Sequence, residues 1–148
     1  MQATVKWVDG VQFVAESGSG HAVVMDGPPE FGGRNMGVRP MEMVLMGLGG
    51  CSSFDVINIL KKSRQQVVSC EAQLQAERAE TEPKVFTKIN LHFVVKGHEL
   101  KPSVVQRAVD LSAEKYCSAS IMLSNGGVEI THSLEILAAD AWTSEIDS

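Results

Sequence analysis

The first 26 positions of the chain contain short hydrophobic runs that are separated by turn residues. Two runs rich in β-branched and aromatic residues, 4–8 and 11–16, are separated by an Asp-Gly pair, which is a strong hairpin signal. A Ser-Gly-Ser-Gly turn then leads to a third run at 21–26. The pattern predicts three short strands joined by tight turns.

A long loop and a helix that is apolar on nearly every side come next. Residues 27–39 are rich in glycine and proline, and such long loops are often functional. Pro40 stands where helices favour proline, and residues 41–62 predict a helix that is buried all round. Its glycines (Gly47, Gly49, Gly50) would permit close approach of another backbone. We therefore expect an intertwined homodimer with buried central helices, in which the N-terminal strands join the partner.

Two further alternating runs predict an antiparallel hairpin with one covered face, joined by a turn at 81–84. The residues that share a face are Val68, Cys70, Ala72, Leu74 and Ala76 in the first strand, and Val85, Thr87, Ile89, Leu91, Phe93 and Val95 in the second.

A second helix and a last strand complete the predicted order. Pro102 begins the helix, which is expected to reach about Cys117, and residues 128–136 form the strand. The inner side of this helix is expected to carry Val105, Ala108, Val109, Leu111, Ser112 and Tyr116. The order β-β-β-α-β-β-α-β predicts an α+β fold in one domain, 1–148, with residues 138–148 as a loosely held tail.

Composition and charge exclude several classes of partner. The hydrophobic fraction of 44% is that of a globular chain, and a net charge of -5 argues against nucleic acids and anionic membranes. The N-terminus lacks the features of a signal peptide. The longest apolar stretch, Met41 to Leu48, is too short to span a bilayer. We expect a cytoplasmic protein with no membrane partner.

The three cysteines are interpreted as free thiols in a reducing compartment, because their number is odd and no export signal precedes them. Cys70 alternates in phase with a strand and is interpreted as structural. Cys51 and Cys117 are either buried small hydrophobes or reactive thiols. Asp55 follows Cys51 by one helical turn, where a carboxylate would disfavour a thiolate. No pair of histidines has a metal-ligand spacing, so neither a metal nor a cofactor is expected.

Two motifs resemble the OsmC/Ohr family. In that family a Pro-Glu-Glu-Leu type helix start leads, eleven residues later, to a reactive cysteine, and Pro40 and Cys51 have this spacing after the loop motif 29–33. The segment 116–120, Tyr-Cys-Ser-Ala-Ser, resembles the second cysteine motif of the family. The order of elements matches over nearly the whole chain.

The resemblance implies a hydroperoxide reductase. Cys51 would attack the peroxide and become a sulfenic acid, Cys117 would resolve it as a disulfide, and a dithiol reductant would reopen the bridge. The negative end of the helix dipole at Cys117 would suit a resolving thiol. A thiolate at Cys51 needs a cation, for which Arg34 and Arg39 in the preceding loop are candidates. Arg34 is favoured, and Glu42 is a candidate orienting carboxylate.

One departure leaves a second hypothesis open. The family peroxidases carry a glutamate directly after the helix-opening proline, where this chain has Met41. The alternative function is therefore a non-catalytic module that binds a small hydrophobic ligand or senses redox state. Retention of both cysteines favours the reductase, and loss of the glutamate favours the binding module.

Overall fold

A computed structural model describes residues 1–139 of the chain. They form two compact units, of which the first is Met1–Met46 and the second begins at Gly47. The strands are β1 Ala3–Asp9, β2 Gln12–Ser17, β3 Ala22–Met25, β4 Gln66–Arg78, β5 Phe86–His98 and β6 Glu129–Ala138. The helices are α1 Pro40–Lys62, α2 Pro102–Leu111 and α3 Ser118–Asn125. This mixed arrangement confirms the α+β class and the predicted order, with one additional helix.

The first unit contains an antiparallel sheet in the order β1-β2-β3, as the N-terminal pattern predicts. The first turn needs a glycine, because Gly10 has a φ of +53°, and its N–H donates to Asp9 Oδ1 at 2.9 Å. Every residue of β1 is exposed, including Val5 at 55% and Trp7 at 67%. Strands rich in such residues normally pack against another surface.

The loop at 27–39 is organised by the buried carboxylate of Asp26. Its oxygens accept backbone N–H groups of Gly27 at 2.7 Å, Met36 at 3.2 Å and Arg34 at 3.3 Å. Burial by itself raises the pKa of Asp26, but these hydrogen bonds and the charge of Arg39 outweigh it and hold the pKa below the ordinary aspartate value. The ionised carboxylate therefore serves as the acceptor on which the loop is folded.

We expect Asp26→Asn to loosen this loop, since an amide offers one acceptor oxygen and no charge to the three N–H donors. The pKa of Asp26 is lower in the folded chain than in the unfolded chain. Its ionised carboxylate therefore stabilises the fold at pH values above the unfolded pKa, and this stabilisation is lost as the pH falls through the folded pKa. Hydrogen exchange of peptides covering 27–39 should accelerate in the variant. The control is Glu16→Gln, an exposed carboxylate on β2; equal exchange in both variants would contradict the assignment.

The start of α1 is fixed by a capping interaction. The backbone N–H of Arg39 donates to Glu42 Oε1 at 2.8 Å, which is half of a capping box, and Pro40 follows as the first helical residue. The predicted start of the helix is thus confirmed.

The single chain buries only one side of α1, so the expectation that this helix is buried all round in a dimer stays a prediction. One side is buried (Leu48, Gly49, Ser52, Val56 and Leu60). Other apolar side chains are exposed, with Met46 at 51% and Phe54 at 69%. A Cβ at Gly49 would meet the side chain of Leu74 and not a backbone, and among residues 1–139 no atom of another element lies within 4 Å of a Cβ built at Gly47 or Gly50.

The apolar part of α1 is longer than the stretch Met41 to Leu48, whose length argued against a membrane span. The helix has 23 residues, and an 18-residue window in it has a mean hydropathy of 1.6, so it is long and apolar enough to cross a membrane by length and composition alone. The core helix of a soluble protein passes the same test. The buried side formed around Leu48 and Val56 is that of a core helix.

The second unit contains a sheet in the order β4-β5-β6. β4 and β5 form the predicted antiparallel hairpin, whereas β6 lies parallel to β5. The sheet supplies Phe86, Ile89, Leu91, Phe93 and Val95 to the core, and α2 supplies Val105, Ala108 and Val109. Ala138 is the last residue of β6, and the Ala139 N–H donates to the Gly97 carbonyl at 2.9 Å. The loosely held tail therefore does not begin at residue 138. Residues 140–148, which were also predicted to belong to this tail, lie outside the described residues.

Irregularities in the β4–β5 ladder change which residues are covered. The register shifts between Val67 and Ser69 and again between Glu77 and Arg78. Val68 is consequently 58% exposed, and Val85 is 52% exposed. Thr87 is also exposed, while Phe86 is buried. The predicted covered face is confirmed from Ile89 to Val95 and is wrong at the hairpin ends, because a bulge reverses the side on which later residues lie.

The second predicted helix is broken. α2 ends at Leu111, a π-helical turn covers Ser112–Tyr116, and Cys117 is extended, with φ −74° and ψ 101°, before α3 begins. Tyr116 is 50% exposed and does not belong to the predicted inner side, although Ser112 does. π-helical turns are frequent at functional sites.

Candidate thiol site

The second unit brings two thiols and a carboxylate together. One ligand atom from each of Cys51, Asp55 and Cys117 lies within 4.8 Å of the other two. Cys51 and Asp55 are one turn apart on α1, and Cys117 comes from the break between α2 and α3. The two sulfurs thus lie close together, as expected. The two cysteines are 66 positions apart in the sequence, and this spacing alone gives no sign of the contact.

Cys117 caps α3 at its N-terminus. Its sulfur accepts the backbone N–H of Ser120 at 3.4 Å, and its own N–H donates to the Ser112 carbonyl at 2.9 Å. The prediction that Cys117 lies at the negative end of a helix dipole is therefore wrong: the π-helical turn ends the helix before it, and Cys117 lies at the positive end of the next one.

The Cys117 thiol is enclosed by protein. Its exposed fraction is 0%, and Ser52 Oγ lies 3.1 Å from its sulfur. The Ser112 hydroxyl donates to the Ser52 carbonyl at 3.1 Å, which ties the π-helical turn to α1. Burial raises the pKa of Cys117, hydrogen bonds from Ser52 and Ser120 oppose the shift, and Cys51 adds to it. Cys117 is thus favoured as a neutral thiol, while Cys51 is only partly buried.

Asp55 is the member of the site that sequence reasoning set aside. Its Oδ2 atom is buried and has no hydrogen-bond partner among the described residues. Burial raises the pKa of this carboxyl. Asp55 follows Cys51 by four residues, and this spacing was the sequence signal that the two side chains are neighbours on the helix. The spacing was used only to argue that Cys51 would not be activated. An unsatisfied buried oxygen calls for a proton or a cation.

The other three candidate residues have their described contacts within the first unit. Arg34 Nη2 forms an exposed ion pair with Asp9 Oδ2 at 2.7 Å. Arg39 Nη1 donates to Asn35 Oδ1 at 2.8 Å, and Glu42 caps α1. A role for Arg34, Arg39 or Glu42 in activating Cys51 stays a prediction.

Cys70 is not part of the cluster. It lies on β4 opposite Val95, and burial raises the pKa of its thiol. It is therefore a matched control thiol for the other two. Cys51 and Cys117 form a pair of thiols of which one belongs to a partly exposed residue and the other to a buried residue.

Comparisons with known proteins place this site in a family. The model of the family described as OsmC-like protein matches residues 32–133, which include both thiols of the site. Protein YhfA of Escherichia coli K12 is 56% identical over 142 residues, covering 94% of this chain and all of the relative. Both findings confirm the resemblance based on the two cysteine motifs.

Solved structures show the same fold. A hypothetical protein from Aquifex aeolicus is 28% identical with a TM-score of 0.81, covering 94% of this chain and 97% of its own. An organic hydroperoxide resistance protein, OsmC, from Legionella pneumophila is 18% identical with a TM-score of 0.68, covering 91% of this chain and 97% of its own. At that identity the second structure supports the fold alone.

Proposed function

Because the chain belongs to the OsmC-like protein family, we propose that it is a cysteine-based reductase of organic hydroperoxides. Its activity would serve oxidative-stress defence in the cytoplasm. The observation that carries the proposal is the approach of two reduced thiols, Cys51 and Cys117, to within 4.8 Å. A disulfide needs about 2.05 Å between its sulfurs, so a small movement closes the pair.

The difference in exposure supports the proposed roles of the two thiols. A peroxide can reach Cys51, which is partly exposed, but not Cys117, which is fully buried. The neutral form favoured at Cys117 suits a thiol that reacts second. Accessibility therefore replaces the dipole argument as the basis for calling Cys51 peroxidatic and Cys117 resolving.

The proposed cycle has three steps. The Cys51 thiolate attacks one peroxide oxygen, the O–O bond breaks, and the alkoxide takes a proton and leaves as an alcohol. Cys51 is then a sulfenic acid, which the Cys117 thiol attacks, so that an S–S bond forms and water leaves. A dithiol reductant opens this disulfide through a mixed disulfide and is itself oxidised.

We propose Arg34 as the cation that stabilises the Cys51 thiolate, with Arg39 as the second candidate. The ion pair between Arg34 and Asp9 is exposed on both sides, so it is weak enough to be exchanged. Glu42 holds the backbone of Arg39 and would orient this segment.

We further propose that the working form is an intertwined homodimer, with residues 1–148 as one domain in each copy. The supporting observations are the exposed apolar side chains of α1 among the described residues, of which Phe54 is 69% exposed, and the complete exposure of β1. Exposed apolar side chains of this kind are typical of an interface. A second copy would cover both.

The test is to add tert-butyl hydroperoxide to the reduced protein in chelator-treated buffer. We expect one peroxide consumed per chain, a mass loss of two hydrogens and a Cys51–Cys117 disulfide on peptide mapping, with repeated turnover once dithiothreitol is present. Formation of a 51–70 link, or absence of peroxide consumption, would contradict the reductase. The binding-module hypothesis would then be the better one.

A further inference from the structure

The cluster on α1 has a donor set that peroxide chemistry does not require. Two cysteine sulfurs and one carboxylate oxygen converge from Cys51, Cys117 and Asp55, with all three ligand atoms within 4.8 Å of one another. A dithiol cycle uses only the sulfurs. The carboxylate adds an oxygen that is buried and lacks a hydrogen-bond partner among residues 1–139.

We propose that Cys51, Asp55 and Cys117 form a Zn²⁺-binding site with three protein ligands and an open fourth position. Two sulfurs bound to one tetrahedral zinc stand about 3.8 Å apart, given Zn–S bonds of about 2.3 Å. The observed separations are compatible with this value after small side-chain rotations. Three protein ligands and a free position are the arrangement of zinc sites that exchange ligands.

The type of donor selects the metal. Thiolates exclude Mg²⁺ and Ca²⁺, which prefer oxygen ligands, and the carboxylate disfavours Cu⁺, which prefers sulfur alone. Zn²⁺ accepts thiolate and carboxylate in one tetrahedral shell. The ion also offsets two of the three negative charges that two thiolates and a carboxylate would otherwise bring together at one half-buried place.

The surroundings of the cluster suit a bound metal. Cys117 Sγ has two outer hydrogen-bond partners, Ser52 Oγ at 3.1 Å and the Ser120 N–H at 3.4 Å, and such partners orient a metal ligand. Cys117 is fully buried, so its position is firmly held. Cys51 and Asp55 are partly exposed, which leaves a path by which the ion enters.

Zinc binding goes beyond the proposed reductase and does not depend on it. Binding transfers the two thiol protons to solvent and oxidises nothing. Because the ion holds both sulfurs, the zinc-bound protein cannot form the Cys51–Cys117 disulfide. Zinc and peroxide therefore compete for the same thiols, and zinc would protect them from oxidation.

The experiment titrates Zn²⁺ into the full, reduced, metal-free chain against a chromogenic chelator, with no peroxide present. We expect one zinc per chain, binding at least about tenfold weaker in Asp55→Asn, and unchanged binding in Cys70→Ser, whose thiol lies outside the cluster. Co²⁺ added to the wild type should give a sulfur-to-cobalt charge-transfer band that Cys51→Ser and Cys117→Ser weaken. This spectrum tests the thiolates without relying on the Asp55 variant.

Two results would overturn the site: no zinc taken up by the reduced wild type, or equal affinity in the wild type and in a folded Asp55→Asn. Neither result bears on peroxide consumption, which is measured in chelator. A protein that binds zinc through the three residues but consumes no peroxide would keep this inference and lose the proposed function.

Discussion

Replacing Cys51 by serine is expected to abolish hydroperoxide reduction, with the rate falling by roughly four orders of magnitude or more, as for removal of other catalytic nucleophiles. A hydroxyl cannot become a sulfenic acid and is a far weaker nucleophile at neutral pH than a thiolate. The measurement is the rate of tert-butyl hydroperoxide loss with dithiothreitol as reductant, in chelator-treated buffer.

The two remaining cysteines provide the controls for this prediction. With excess peroxide and no dithiothreitol, Cys117→Ser should retain the first reaction and then accumulate Cys51 as sulfinic acid, because no thiol is present to condense with the sulfenic acid before a second peroxide oxidises it. Cys70→Ser should behave like the wild type, since Cys70 lies on β4 outside the cluster. Wild-type rates in Cys51→Ser, or equal losses in Cys51→Ser and Cys70→Ser, would show that the chemistry is elsewhere.

The second large effect is expected from Phe54→Glu, which should prevent dimerisation. Phe54 is 69% exposed in the single chain although it lies on an apolar helix. Burying a phenylalanine contributes about 1.5–3 kcal/mol, and a two-fold interface contains the residue twice, so association should weaken by about 3–6 kcal/mol before any penalty for the buried charge. Sedimentation velocity at micromolar concentration measures the change.

The matched control is Lys61→Glu, which places a new negative charge at an exposed position near the end of the same helix. We expect it to sediment like the wild type. A wild-type protein that is monomeric, or a Phe54→Glu variant that stays dimeric, would refute the interface. If the dimer is obligate, Phe54→Glu will also lower the thermal unfolding temperature, because the exposed strands lose their cover.

Zinc and peroxide would meet at one site if both proposals hold. The ligands of the ion include both thiols of the reductase, so the metal-bound state is inactive and protected, and release of the metal precedes catalysis. Asp55 distinguishes the two activities, because it serves as a zinc ligand while the disulfide needs only sulfur. The family glutamate position, occupied here by Met41, is not among the three residues.

Local patterns were sufficient for the elements and the motifs. Runs of β-forming residues between turn signals predicted the three N-terminal strands, alternation predicted the β4–β5 hairpin, and Pro40 marked the start of α1. All three signals depend on residues close in sequence. The spacing of Pro40 and Cys51, together with the segment around Cys117, was enough to indicate the family.

Tertiary structure decided everything that depends on distant residues. The bulge beside Val68 and the parallel pairing of β6 follow from strand partners, which alternation does not specify. The π-helical turn before Cys117 is fixed by packing of Ser112 against α1, and it moves Cys117 from a helix end to a helix start. Only the fold brings Cys117 to the turn that Cys51 and Asp55 share, because a contact between residues so far apart is selected by the burial of the whole core and not by local preference.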